Sequence, residues 1–197
     1  MKLRWTGRTK PYTAAQLIRG MDAGRQDRSS DYKVKGYTTS LIIDPVTTPA
    51  TRRTKTKQAV VNIRIDFVVR HQKQGAAAKL HLVTVVMPYN TGDVTELRDY
   101  LKKPVKVYST TGDFKYRFAH ILNKTGNLYL PTKEIEKDFK VVLQRPPKVA
   151  NPSMLVMIDA ATYACLKYLP KVKVKFSKKA SESVPLPKLR QFPFRRY

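Results

Sequence analysis

Residues 60–70, with the sequence VVNIRIDFVVR, alternate between apolar and polar side chains, and this alternation constrains the fold more than any other feature of the chain. Ile65 and Phe67 fall on one side of an extended segment, and Arg64 falls on the other. Such a period of two is typical of a β-strand with one buried face. We therefore expect a long half-buried strand here, with the core of the protein on its apolar side.

Further apolar runs predict more strands and only a few helices. Strands are expected over residues 80–88, 105–108, 114–122, 138–145, 153–163 and 168–176. One short helix is expected from Thr13 to about Met21. A second is expected between Thr91 and Leu101, and Pro104 prevents it from continuing further. A turn is expected at 123–127. Because strands and helices do not alternate regularly, the pattern favours an all-β sandwich or barrel of Greek-key type.

The charge of the chain points to a polyanionic partner. Lysine and arginine number 39 against 14 acidic residues, which gives a formal net charge of +25 over 197 residues. Self-repulsion of this size destabilises a compact fold, and nucleic acid is the usual partner that offsets it. The sequence divides into a basic N-terminal arm at 1–57, a strand-rich domain at 58–176 and a basic, proline-containing tail at 177–197.

Cations of the N-terminal arm are interleaved with aromatic residues, a pattern that suits phosphates and unpaired bases. The residues that we predict to bind nucleic acid are Lys2, Arg4, Trp5, Arg8, Lys10, Arg19, Arg25, Arg28, Lys33, Lys35, Arg52, Arg53, Lys55 and Lys57. A solubilising tail or a nuclear-import signal would have a similar composition. A lysine stripe at 171, 173 and 175 either prevents edge-to-edge aggregation or faces phosphates.

Catalysis is not indicated. The sequence has none of the usual nucleotide-binding, nucleophile or metalloprotease motifs. Its one cysteine, Cys165, and its three histidines, His71, His81 and His120, do not show a metal-ligand spacing. Acidic residues lie beside lysines, as on a solvated face. We expect no enzyme activity, no cofactor, no metal and no small-molecule substrate, and no apolar run is long enough to span a membrane.

The strand pattern resembles the single jelly-roll capsid (coat) proteins of small viruses, in particular the geminivirus-like type with circular single-stranded DNA, and the satellite viruses with RNA genomes. The likeness covers residues 58–176. A basic arm precedes a long strand, the segment TGDVTELRDYL inserts a helix after two strands, and FKYRFAHIL with DFKVVLQR resembles the middle sheet. The pair SMLVMIDAATY and YLPKVKVKF resembles the closing hairpin.

This resemblance implies a single jelly-roll β-sandwich that assembles with itself into an icosahedral shell of about sixty copies. It implies single-stranded nucleic acid as the packaged partner, the virion as the location, and passage through the host nucleus before assembly as an option. Two alternatives share the charge pattern. One is a ribosomal or mitochondrial ribosomal RNA-binding protein, and the other is a nucleic-acid-processing protein of CRISPR type, which would need a base or a metal site.

Overall fold

The computed structural model describes residues 11–21, 23–44, 60–72, 77–89, 99–144 and 158–174. The helices are α1 (Ala14–Arg19), α2 (Ala23–Arg28), α3 (Ala119–Lys124), α4 (Lys133–Gln144) and α5 (Ala160–Tyr168). The strands are β1 (Tyr32–Asp44), β2 (Val60–His71), β3 (Lys79–Pro88) and β4 (Lys106–Ser109). Single 3-10 turns span Ser29–Asp31, Asp99–Lys102 and Leu169–Lys171, and a π-helical turn, Phe114–Phe118, leads into α3.

The four strands form one antiparallel sheet in the order β1-β2-β3-β4, so each strand pairs with its neighbour in the sequence. The prediction of a β-rich fold on an antiparallel sheet is confirmed, as are the strands at 60–70, 80–88 and 105–108. The predicted helix at residues 13–21 is α1. The Thr13 hydroxyl accepts from the Gln16 backbone N–H, the Gln16 side chain accepts from the Thr13 N–H, and Gly20 ends the helix.

The apolar side chains of β2 point to the same face as those of β3. Helix α5 covers that face, and α1 packs against α5 and adds to the same core. The predicted register of β2 is confirmed, because Ile63, Ile65 and Phe67 are fully buried. Arg64 lies on the opposite face but is only 8% exposed. Its guanidinium lies 2.8 Å from the Asp66 carboxylate, so the second face of the sheet is partly covered as well.

The segment 114–122, predicted as a strand, forms the π-helical turn and α3 instead. Phe114, Tyr116 and Phe118 alternate with charged residues as in a strand, but Phe114, Phe118 and Leu122 also follow the helical spacing of four. In the structure these three are fully buried, whereas Tyr116 is 61% exposed. The helical period therefore decides which side chains enter the core.

The predicted strand at 138–145 is also wrong where the structure describes it, because residues 138–144 belong to α4. Ile135 and Phe139 are four apart and buried on one side of that helix. Thr132 precedes α4 and its hydroxyl accepts from the Ile135 N–H at 3.3 Å. The acidic residues of the first turn, Glu134 and Glu136, suit the positive end of the helix dipole.

The last two predicted strands, 153–163 and 168–176, are wrong where the structure describes them. Residues 160–168 form α5, whose Asp159 cap and alanine-rich start favour a helix. Leu169–Lys171 adds a 3-10 turn, and residues 172–174 do not join the described sheet. Of the predicted turn at 123–127, residues 125–126 form a turn after α3, with Gly126 at a φ of +71° that favours glycine, whereas residues 123–124 end that helix. Of the predicted inserted helix, only 99–101 is described, and it belongs to a 3-10 turn.

The described part of the predicted N-terminal arm is built into the fold, which corrects the division at residue 57. Strand β1 pairs with β2 from Tyr32–His71 to Asp44–Val60. Ala14, Leu17 and Met21 are buried in the same core as β2 and β3. Packing and strand pairing therefore recruit these residues, despite the basic composition of the segment.

Candidate nucleic-acid interface

A basic cleft lies at the end of the sheet where β1 begins and β2 ends. It has a volume of about 220 Å³ and is lined by Ser30, Asp31, Lys33, Lys35, Arg70 and Gln72. We call these six residues the basic cleft. It holds three cations and one carboxylate, so its charge favours an anion.

Strand pairing brings the cations of the basic cleft together. Lys33 of β1 lies directly opposite Arg70 of β2 in the antiparallel register. Residues in such a pair have neighbouring side chains on the same face of the sheet. Like charges directly opposite one another repel, so the pair is unfavourable unless an anion lies between or beside them.

A β-bulge in β1 supplies the third cation. Val34 pairs with Val69 and Gly36 pairs with Val68, so Lys35 is the extra residue between the two pairs. The bulge lets Val34 and Tyr37 both pack against the core while Lys35 stays exposed. Bulges of this kind commonly redirect a side chain beside a binding site.

The sheet face next to the basic cleft is open and partly apolar. Leu80 of β3 lies opposite Arg70 and is 54% exposed, and Val68 is 37% exposed. On the same face, the part of the sheet near β4 is covered. The ring of Tyr108 is buried with its centroid 6.1 Å from that of Phe114 and 6.0 Å from that of Phe139. The open part of this face can therefore accommodate an elongated ligand that starts in the basic cleft.

Only some of the predicted binding residues are in the described part of the chain. Lys33 and Lys35 line the basic cleft and are exposed. Arg28 is exposed and immediately precedes the turn that supplies Ser30 and Asp31. Arg19 ends α1 away from this turn in sequence, and Arg25 lies in α2. The predicted residues outside the described ranges are Lys2, Arg4, Trp5, Arg8, Lys10, Arg52, Arg53, Lys55 and Lys57.

The sequence prediction missed Arg70 and Gln72. Arg70 occupies a polar position of the alternating strand, and its pairing with Lys33 depends on β1, which the sequence had assigned to an arm. Gln72 follows β2, and its backbone N–H donates to the Asp31 carbonyl at 3.1 Å. The one sequence signal for Arg70 is its place among the polar positions of the alternating segment 60–70.

The lysine stripe predicted on a last strand does not form as predicted. Lys171 lies in the 3-10 turn, with its Nζ 5.7 Å from the centroid of the Tyr168 ring. Lys173 is exposed, and its backbone N–H donates to the Tyr37 hydroxyl at 2.9 Å. Lys175 is outside the described residues.

Buried polar groups form a second cluster, around Asp159. This carboxylate accepts from the hydroxyls of Thr111 at 2.5 Å and Ser109 at 3.3 Å, and from the Thr162 N–H at 3.2 Å. Burial raises its pKa. Because Asp159 is 2% exposed and caps α5, the cluster joins β4 to that helix and is not an accessible site.

Cys165 and His120 both lie in buried surroundings. Cys165 is buried, and burial raises the pKa of its thiol, so the reactive thiolate is disfavoured. Nδ1 of His120 lies 2.8 Å from the Leu143 carbonyl oxygen. Among the described residues, no three histidine, cysteine or acidic side chains are grouped so as to hold a metal ion.

Comparison with protein-family models, with curated proteins and with solved structures gave no match to this chain. None of the helices in the described ranges is both long and apolar enough to cross a bilayer.

Proposed function

We propose that the protein is a structural subunit that binds single-stranded nucleic acid at the basic cleft and packages it in a shell of its own copies. The observation that carries the binding half is the juxtaposition of Lys33, Lys35 and Arg70 around one cleft. Their mutual repulsion is relieved when phosphates neutralise them and release counterions. The net charge of +25 supports the same class of partner.

The shell half of the proposal rests on the edge of the described sheet, because the segments likened to the middle sheet and closing hairpin of a capsid protein are not strands where the structure describes them. A jelly roll requires a second sheet against the first, and in the described residues α5 covers the core face, with α1 packed against α5. In the proposed shell, contacts between copies are made by β1, a 13-residue strand at the edge of the described sheet. An edge strand can pair with a strand of another copy.

The binding half is tested by removing the three cations. We expect Lys33→Gln, Lys35→Gln and Arg70→Gln together to lower the slope of log affinity against log salt by about 2 for a single-stranded oligonucleotide. The matched control is Lys133→Gln, Lys137→Gln and Lys140→Gln, because these three lysines are exposed on α4 and the charge change is equal. Equal losses in both triple variants would show that net charge, and not the basic cleft, governs binding.

The shell half is tested by sedimentation of the purified protein at low salt, with and without single-stranded nucleic acid. Uniform large particles that contain nucleic acid are expected. A complex with one protein copy under all these conditions would refute self-assembly. It would leave the binding half intact and favour the ribosomal alternative, in which the partner is an assembled RNA.

A further inference from the structure

Three aromatic rings lie side by side at the same end of the sheet as the basic cleft. Tyr32 and His71 are directly paired across β1 and β2, and their rings are stacked with centroids 4.3 Å apart and planes 9° apart. The ring of His81 lies 6.2 Å from that of Tyr32 and 6.1 Å from that of His71. We call Tyr32, His71 and His81 the ring group.

The ring group is partly open to solvent. All three side chains are half-buried, and the neighbouring Gln72 and Lys79 are exposed. Burial and the adjacent His71 lower the pKa of His81 to about 4, and burial raises the pKa of Tyr32 to about 12. At neutral pH these two rings are therefore uncharged, and an uncharged ring can stack on the face of any base.

The ring group adjoins the basic cleft along both strands. Tyr32 immediately precedes Lys33, and His71 immediately follows Arg70, so the stacked pair and the cationic pair are consecutive rows of the sheet. Their side chains lie on opposite faces. The cleft is lined by Asp31 and Gln72, which lie just beyond the two strand ends, and not by the three rings themselves. A ligand that passes around this end of the sheet can contact both the cationic pair and the stacked pair, because the two pairs are adjacent in sequence on both strands.

We propose that the ring group stacks with an unpaired base of the nucleic acid whose phosphates occupy the basic cleft. This inference rests on the proposed function and narrows its ligand. Bases of a duplex are stacked on one another and paired, so only a single strand can present a base to the rings while its backbone follows the cations. The protein then prefers single-stranded nucleic acid to a duplex and to a polyanion without bases.

The first experiment uses the unaltered protein and three ligands. Affinities are measured for a short single-stranded oligonucleotide, an abasic oligonucleotide of the same length and inorganic polyphosphate of similar charge. We expect the intact oligonucleotide to bind about tenfold more tightly than the abasic one. Equal affinities of the unaltered protein for the intact and the abasic oligonucleotide would overturn the stacking proposal. Because this comparison uses no variant, it does not depend on whether any variant folds. The proposed function would instead be refuted if Lys33→Gln, Lys35→Gln and Arg70→Gln together left the affinity for all three ligands unchanged.

The second experiment assigns the preference to the rings. His71→Leu and Tyr32→Leu keep an apolar side chain, and each should abolish most of the tenfold difference between intact and abasic ligands while leaving polyphosphate binding unchanged. Tyr116→Leu is the matched control, because Tyr116 is 61% exposed on the helical segment at 114–118. A base preference that survives both ring substitutions, or that is lost in Tyr116→Leu, would place the stacking site elsewhere.

Discussion

At the scale of single residues, Phe67 joins the sheet to the last described helix. Its ring is fully buried, 6.1 Å from that of Tyr37 on β1 and 6.4 Å from that of Tyr168 on α5. Val68, the next residue, points to the opposite face and is 37% exposed. Adjacent residues of β2 therefore differ strongly in how far their side chains are buried.

Phe67→Ala should lower the free energy of unfolding by about 3–5 kcal/mol, because it removes a large buried ring and leaves a cavity. Urea unfolding followed by circular dichroism measures the change. Val68→Ala is the control on the other face and should cost less than about 1 kcal/mol. A Phe67→Ala change within about half a kcal/mol of zero would contradict the register of β2.

We expect His81 to make the folded protein sensitive to acid. Its folded pKa of about 4 lies below the ordinary value of 6.5, so the unfolded chain binds the proton more readily. The stability due to neutral His81 is complete above pH 6.5 and is lost as the pH falls from 6.5 towards 4. Thermal unfolding between pH 7.5 and pH 4 should therefore show a smaller loss in His81→Phe than in the unaltered protein. Identical acid sensitivity of the two proteins would show that His81 is not the group responsible.

At the scale of secondary-structure elements, the sequence predicts β2, β3, β4 and α1 correctly, because each has a single periodicity or a clear cap. The segment 114–122 fits two periodicities, and packing on Tyr108 and Phe139 selects the helical one. Helix α5 is apolar on several sides, so no stripe marks it as a helix. The lysines of β1 obscure its strand pattern in the sequence. Its pairing with β2 is a long-range contact that the local sequence pattern does not encode. For the same reason, Lys33 and Lys35 are the only residues of the basic cleft among those predicted from the sequence to bind nucleic acid.

Asp159 holds the start of α5 against β4, and its replacement tests that connection. Asp159→Ala should cost about 2–4 kcal/mol, because the helix loses its cap and the hydroxyls of Ser109 and Thr111 lose a buried acceptor. Asp159→Asn retains a capping oxygen and removes the buried charge, so it should cost about 1 kcal/mol or less. Chemical denaturation measures both variants, and equal costs would show that the cap and its hydrogen bonds contribute little.

At the scale of the whole molecule, the basic residues form two groups that are distinct in the sequence, one in the basic cleft and one between β1 and β2. The basic cleft lies where Tyr32 pairs with His71. The cluster of Arg52, Arg53, Lys55 and Lys57 falls in the connection between Asp44 and Val60, which are paired at the other end. We expect a single strand of nucleic acid to be neutralised by both groups.

Replacing Arg52, Arg53, Lys55 and Lys57 by alanine should lower the salt slope for single-stranded nucleic acid by about 3. The β1–β2 pairing should persist, because the substitutions lie outside both strands, and a circular dichroism spectrum checks this. Particles that form with less encapsidated nucleic acid are the expected result of packaging experiments. Full-length nucleic acid at the original occupancy, with an unchanged salt slope, would exclude this cluster from binding.

The central claim is that nucleic acid binds at the basic cleft, and amide hydrogen exchange with and without a single-stranded oligonucleotide tests it most directly. We predict slower exchange at residues 30–35 and 69–72 in the complex, where the ligand covers the cleft and the adjacent ring group. Helix α4 serves as the internal reference, since its three exposed lysines are matched by three acidic residues of the same helix, and its exchange should not change. Protection of α4 with unchanged exchange at residues 30–35 and 69–72 would contradict the claim.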